Sequence, residues 1–435
     1  MSSQPDHTNF LESPTSSSPE SSTSVTSAAT ESFGLYQRIV IGVLEQMTRG
    51  CLNLEFPDGS TRTIGQPGAT NSARIRILNP VFFKKCVLYG DIGFGEAYVD
   101  GDWDTDDITR VIAWAINNID NIQVMSGSKG KSWLVNIFGF LNRVYHLMRP
   151  NSLRTSRRNI QEHYDLGNAF YQTFLDSTMT YSCAYFAATD QSLEAAQLAK
   201  YDALCRKLKL KATDHVLEIG TGWGGFSRYA AKTFGCRITT VTISEEQFKY
   251  AKALFEREGL ADQIEIRLQD YRHIQGEFDK VVSIEMIEAV GDAFLETYFQ
   301  KCQDVLKKDG LLALQMITCP DSRYELLRKG VDWIQKHIFP GSLLVSVGRV
   351  NQAINRTSDL YLHDLEDMGL FYARTLRLWR ETFCQKLDQA RALGFSDVFI
   401  RKWLYYLSYC EAAFAMRNIS VVQVVYTRPN NPTLF

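Results

Sequence analysis

Residue types able to do chemistry first gather at "TMTYSCAYF", Thr178 to Phe186, where one thiol, Cys183, stands among three aromatic rings. Such a stretch fits core packing, a nucleophile, or a pocket for a group with no polar handle. Further along, "DHVLEIGTGWGGFSRYAAKTFG" reads as an apolar strand, a glycine turn and a helix. Glycines at 220, 222 and 224 let the backbone turn sharply off the strand and approach a ligand with no Cβ in the way. With Gly225 the run also satisfies G-x-G-x-x-G, so a dinucleotide fold competes for this loop. Two carboxylates separate the readings. Glu218, at the end of the strand, would repel a pyrophosphate but attract the ammonium of a methionine moiety. Asp270, in "IEIRLQDYR", is placed to accept a hydrogen bond from an adenine amino group. Each acid alone is equally well a cap or a surface residue; together with the glycine turn they favour S-adenosylmethionine over a nicotinamide dinucleotide.

These residues need a scaffold, and the flanking pattern supplies one. "CRITTVTIS", "FDKVVSIEM" and "GLLALQMIT" read as strands separated by helical segments, the alternating order of an α/β, doubly wound, Rossmann-like parallel sheet. The site is then expected beyond the carboxyl ends of the strands. Upstream, residues 33–125 read as a small α+β domain, with a helix in "YQRIVIGVLEQMT" and strands in "CLNLEFPDGS" and "ARIRILN". "YGDIGFGEAYVDGDWDTDD" closes it, and its glycines and acids around Tyr98 and Trp103 predict tight turns with a structural role. Residues 126–158 form a connector of different character: "SWLVNIFGFLNRVYHLM" is aromatic and apolar, and Arg149, Arg154, Arg157 and Arg158 follow. That combination suits a membrane surface as well as it suits a buried helix with a solvated linker. Residues 1–32 are Ser/Thr/Pro-rich, too poor in large apolar groups to offset ordering entropy, and predict a disordered tail.

Composition narrows the classes. With 45% apolar and 22% charged residues the chain is of the folded, multi-domain kind, and a net charge of -2 argues against general nucleic-acid binding. Nine scattered cysteines without a C-x-x-C pair suggest neither a disulfide framework nor a metal site and fit a reducing, cytoplasmic setting. No apolar run is long enough to span a bilayer, so membrane contact is expected to be peripheral.

Seven motifs in order carry a family resemblance: "HYDLGNAFYQTFLDSTMTYSCAYF", "VLEIGTGWGGF", "VTISEEQ", "EMIEAVG", "IQKHIFPGSLL", "YARTLRLW" and "YLSYCEAAF". The chain resembles the cyclopropane-fatty-acyl-phospholipid synthases and the mycolic-acid cyclopropane synthases from about Asn159 to its end, and "GEAYVDGDW" extends the likeness into the small domain. The resemblance implies an S-adenosylmethionine-dependent methyltransferase domain over 159–435 and a lipid-associated small domain. It also implies a homodimer and a phospholipid substrate whose cis double bond receives a methylene through a carbocation. A related enzyme making a methyl- or methylene-branched chain shares that cation, and "MIEAVG" with "LQMIT" looks like the plant-type and some actinobacterial branching members.

By the same resemblance Tyr181, Ser182, Trp223 with its glycine loop, the Thr242–Ser244–Gln247 segment, and Tyr271 beside Asp270 contact the cofactor. Gln247 is the candidate for the ribose hydroxyls. A bicarbonate ion as general base is implied, held by Cys183, Glu288, Gln315, Ile317 and Tyr372. Gln315 stands where a histidine is common, and a Gln donates a hydrogen bond but carries no proton at neutral pH. Glu288 itself is the other candidate base. Cys410 matches a cysteine sometimes called catalytic, though its apolar helix favours a structural role. An alkene binds by apolar contact, and Tyr185, Phe186, Tyr372 and Trp379 are the rings expected to face the cation.

Overall fold

The computed structural model describes residues 34–119 and 166–434; the predicted tail over 1–32 and the apolar-basic connector over 126–158 lie outside the described residues. The small N-terminal unit opens with helix α1 (Leu35–Leu44) and a sheet of β1 (Cys51–Glu55), β2 (Thr61–Gly65), β3 (Ser72–Ile77) and β4 (Trp103–Asp104), in spatial order β2-β1-β3-β4. Alternation of buried Leu52 and Leu54 with exposed Asn53 turns one face of β1 inward, as the sequence pattern predicts. Helices α2 (Val81–Val99) and α3 (Ile108–Asn117) cover that face.

Helix α2 departs from expectation, because it runs through the glycine-rich stretch read as tight turns. Gly90 breaks the helical path with φ 59° and ψ -131°, which supplies the kink. The next glycines serve close approach rather than turning. A Cβ on Gly93 would lie 2.1 Å from the Lys85 carbonyl oxygen, and one on Gly95 would lie 2.5 Å from the Trp333 ring and 2.8 Å from Tyr405. Tyr98 and Trp103 are buried core rings, so the structural role expected for them holds.

The second unit begins, after residues 166–192, with α4 (Leu193–Lys207). The parallel strands β5 (His215–Ile219), β6 (Arg237–Thr242) and β7 (Ile264–Leu268) alternate with α5 (Gly225–Phe234) and α6 (Glu245–Arg257). They are followed by β8 (Phe278–Ile284), β9 (Leu306–Thr318), the short α7 (Trp333–His337), β10 (Tyr361–Asp367), α8 (Gly369–Gln385), α9 (Asp397–Ala415) and β11 (Ser420–Thr427). The seven-stranded sheet has order β10-β11-β9-β8-β5-β6-β7, with β11 antiparallel to both of its neighbours and β5 to β9 parallel. The chain winds outward from β5 through β6 to β7, then returns to place β8 on the other side of β5. That reversal opens a crevice at the carboxyl ends of β5 and β8.

Helices α8 and α9 cap this end of the sheet and tie the two units together. Helix α9 lies against α2, α3 and α8, and Arg401 donates to the Tyr98 carbonyl at 2.9 Å with its guanidinium 4.0 Å from the Tyr98 ring. Glu96 of α2 accepts from Lys336 at 2.6 Å and His337 at 2.9 Å on α7. Gly95 packs at this joint with no room for a Cβ against Trp333 and Tyr405. Gly95→Ala is therefore expected to destabilise the protein by about 1–3 kcal/mol, as overpacking of a closed contact does. Thermal unfolding checks this, and an unchanged melting temperature would show that the joint yields freely.

Candidate active site

The crevice is a cavity of about 1770 Å³. Single small-ligand pockets run to about 300–1,000 Å³, so there is room for a cofactor and a further apolar molecule side by side. Its floor is the glycine loop. Gly220, Gly222 and Gly224 all have positive φ, at 103°, 54° and 89°, but they answer to different neighbours. A Cβ on Gly224 would meet Phe255 at 2.8 Å, whereas one on Gly222 meets no protein atom within 4 Å. Gly224 is thus required by helix packing, and Gly222 leaves open the space above the loop that a ligand needs.

The cofactor residues expected from sequence surround that space. Glu218 is buried at the end of β5, and its Oε2 accepts from Ser227 at 2.5 Å and Thr240 at 2.7 Å. Burial pushes this carboxyl up to about 7 despite those donors. Ser244 caps α6, and Gln247 Oε1 accepts from Thr242 at 2.9 Å, which leaves the Gln247 Nε2 donors without a partner among the described residues. Those donors suit a diol. Asp270 lines the cavity too, but Arg272 already engages both its oxygens, at 2.9 and 2.8 Å, so any adenine contact has to share them. Tyr181 bonds Tyr406 through the hydroxyls at 2.8 Å, Trp223 lies tilted 4.9 Å from Tyr171, and Tyr271 lies beside Tyr298.

The resemblance implied a bicarbonate ion here, whereas Gln315, Tyr372 and Cys183 converge on a side-chain carboxyl that the sequence reading passed over, Glu285, whose proton affinity burial raises. Glu285 Oε1 accepts from the Cys183 backbone N–H at 2.9 Å and from Gln315 Nε2 at 2.7 Å, and Glu285 Oε2 accepts from the Tyr372 hydroxyl at 2.7 Å. Gln423 fixes the amide of Gln315 by donating to its Oε1 at 3.1 Å. Glu285 follows β8 directly with φ 49°, a left-handed conformation that costs a non-glycine residue about 1 kcal/mol or more. Its own N–H is held by the Gln315 carbonyl at 2.7 Å. Glu288 is not part of that convergence: its Oε1 accepts from the Ile317 N–H at 2.5 Å, and its buried Oε2 has no partner among the described residues. Alternate residues of β9 therefore grip two acids, Gln315 holding Glu285 and Ile317 holding Glu288.

Cys183 acts in this cluster through its backbone. The N–H serves Glu285, the carbonyl accepts from Gln315 at 3.2 Å, and burial drives the thiol well above its ordinary range, so no thiolate is available. Cys410 is raised likewise by burial and lies among the tyrosines of α9. Of the rings expected to face a cation, Tyr372 lines the cavity; Tyr185, Phe186 and Trp379 do not. Tyr185 instead bonds Glu366, and Trp379 is enclosed between Tyr181 and Phe174. The rings that do line it include Tyr181, Phe339, Tyr406 and Phe414.

Residues 151–424 match the family model described as mycolic acid cyclopropane synthetase. The chain belongs to this family. Among its relatives, tuberculostearic acid methyltransferase UfaA1 of Mycobacterium tuberculosis is 37% identical, over 88% of each chain. The cyclopropane-fatty-acyl-phospholipid synthase of Escherichia coli strain K12 is 36% identical, over 82% of this chain and 88% of that one. The solved mycolic acid cyclopropane synthase CmaA1, complexed with SAH and CTAB, superposes with a TM-score of 0.58 at 28% identity, over 62% of this chain and 98% of that one. As a member of the synthetase family this protein is an S-adenosylmethionine-dependent methyltransferase, and the open face of the glycine loop with the free donors of Gln247 fits that cofactor.

For this methyltransferase two outcomes are expected. Gly222→Val places a side chain in ligand space and strains a left-handed residue, so it should abolish S-adenosylmethionine binding in calorimetry; undiminished affinity in the folded variant would contradict this location of the loop's open face. The second concerns Glu288, which burial and the neighbouring Glu285 push from 4.5 up to about 8. The folded protein therefore holds a proton that the unfolded chain has released. Stability should fall as pH rises from about 4.5 to about 8, and Glu288→Gln, which keeps the bond to Ile317, should flatten that slope in denaturant titrations.

Proposed function

We propose that this methyltransferase alkylates the cis double bond of an unsaturated acyl chain carried on a membrane phospholipid and closes it to a cyclopropane, with Glu285 as the proton acceptor. The observation that carries this reading is the convergence of Cys183, Gln315 and Tyr372 on one carboxylate at the edge of an apolar cavity whose floor is the glycine loop. S-adenosylmethionine, when bound, supplies an electrophilic methyl and departs as S-adenosylhomocysteine. The alkene contributes its π pair to the new C–C bond as the C–S bond breaks, which leaves a cation on the adjacent carbon. The apolar walls exclude water from that carbon, and the face of Tyr372 stabilises its charge. Glu285 then takes a proton from the newly added methyl, and the electrons of that C–H bond close the ring.

In this reading the protein's own carboxylate does the work that the resemblance assigned to bicarbonate. The donors that would hold a free ion are already committed to Glu285, and two bare anions in one dry pocket repel. Glu288, protonated beside it, adds no second charge. A phospholipid substrate also makes peripheral membrane contact part of this proposal. A second product class has one observation in its favour, the 37% identity over 88% of both chains to a tuberculostearic acid methyltransferase. The same cation yields a methylene branch if a hydride shifts before the proton leaves.

The test is turnover of labelled S-adenosylmethionine with unsaturated phospholipid vesicles in carbonate-depleted buffer, followed by proton NMR of the lipid, which separates ring from methylene. Wild-type turnover should be insensitive to added bicarbonate. Glu285→Gln should lower kcat by about 10²–10⁴-fold with cofactor affinity retained. Glu285→Gly relieves the left-handed strain and empties the anion position, so bicarbonate should partly restore its activity. Full activity in Glu285→Gln would overturn the assignment.

A further inference from the structure

The mechanism leaves one buried charge unused. Helix α4 turns Gln197, Lys200 and Tyr201 toward the Thr178–Tyr185 stretch, the i, i+3, i+4 spacing that places side chains on one helical face. Gln197 Nε2 donates to the Ser182 carbonyl at 3.0 Å, Lys200 Nζ donates to Ser182 Oγ at 2.6 Å, and the Tyr201 hydroxyl bonds Thr180 Oγ1 at 2.6 Å. Packing alone accounts for the amide and the phenol. It does not account for an ammonium at 0% exposure whose direct partner is a neutral hydroxyl, because an unpaired buried cation is costly.

The neighbours of Lys200 explain it. Glu285, Cys183, Asp176 and Glu218 all act on it, and the Tyr201 ring lies 4.6 Å from Nζ. Viewed from Glu285, the groups that face the carboxylate are the Cys183 N–H, the Gln315 amide, the Tyr372 hydroxyl, Glu288 and Lys200. Lys200 is the one cation among them in the described residues. Every other charged neighbour is acidic, so without Lys200 no cation would oppose the burial that raises the proton affinity of Glu285.

Building on the reading of Glu285 as the proton acceptor, we propose that Lys200 is a positioning residue of the reaction. Through Ser182 it holds the Tyr181–Cys183 stretch against Glu285, and its charge behind that stretch keeps Glu285 in the carboxylate form between turnovers. The relation is mutual: burial lowers Lys200 to about 8, and Glu285 is the strongest influence holding it up. Activity should therefore rise with the ionisation of Glu285, at a pH that the charge of Lys200 sets.

The experiment is the pH profile of kcat/KM with vesicle substrate for wild type, Lys200→Met, Lys200→Arg and Ser182→Ala, with cofactor affinity measured by calorimetry alongside. In Lys200→Met the acid limb should move up by about one unit or more, which reads as a loss of about tenfold at pH 7 that is recovered at higher pH. Ser182→Ala, which keeps the charge and removes the brace, should leave the acid limb in place, and so should Lys200→Arg, which keeps the charge. Activity lowered by one factor at every pH in Lys200→Met would make Lys200 merely structural and overturn the proposal. Should that variant fail to fold, Lys200→Gln, which keeps a donor for Ser182 and removes the charge, takes its place, and an acid limb unmoved there overturns the proposal instead. Glu285→Gln separates the two readings: full activity there removes the acceptor assignment itself, whereas an inactive Glu285→Gln beside an unshifted Lys200→Met profile removes the role of Lys200 alone.

Discussion

A carboxylate taken out of water must be given donors, and the demands of Glu285 organise much of this molecule. Its donors come from stretches far apart in sequence: the loop before α4, the end of β9, and the first turns of α8. Each has to be delivered to within hydrogen-bond distance of one point. The sheet reversal at β5 and β8 opens the point, β9 lines up Gln315 beside it, and β11 contributes Gln423 to keep the amide of Gln315 from turning. The cap of α8 and α9 brings Tyr372. A buried network of this kind is worthwhile only when complete, since one missing donor leaves a costly charge behind.

The N-terminal unit serves the same end. Its helix α2 threads a run of glycines past Trp333 and Tyr405 and so presses against the elements that carry the cap. Residues of α1, α2 and α3 line the cavity together with the glycine loop. The apolar space is consequently shared between the two units, and neither encloses it alone.

Much of this was legible in the sequence because periodicity and glycine chemistry are local. The parallel strands, the glycine loop and its flanking acids were visible from spacing, and motif order placed Gln315, Ile317 and Tyr372 beside one another. What escaped was set by geometry that spacing does not carry. "SIEMIEAVG" offers two acids, and matching to a family pattern selected Glu288. That Glu285 turns inward depends on a left-handed residue just past β8, a conformation no propensity assigns to glutamate. A usable signal did exist: an acid immediately after a buried strand, in a chain where Gln315 stands in place of the histidine expected by resemblance. The helix through "YGDIGFGEAYV" was missed for a related reason, because glycines needed for close packing look like glycines needed for turns. Tyr185, Phe186 and Trp379 were offered as cavity walls on ring type alone, and the direction of each ring is a tertiary property.

The double hold of Gln315 on Glu285, amide to carboxylate and carbonyl to backbone N–H, has a consequence for the catalytic cycle. A dissolved base can diffuse away carrying what it has captured, but a tethered one starts the next round still loaded. On the proposed role of Glu285, each round has to include a discharge step, in which the captured hydrogen passes outward along hydroxyl groups or a transient water while the product is leaving. Tyr372, bonded to the carboxylate and bordering the cavity, is the first link that such a relay would use. Resetting the base, rather than breaking the C–S bond, then becomes a candidate for the slow step, and a solvent isotope effect on steady-state turnover that is absent from the first round would be its kinetic mark.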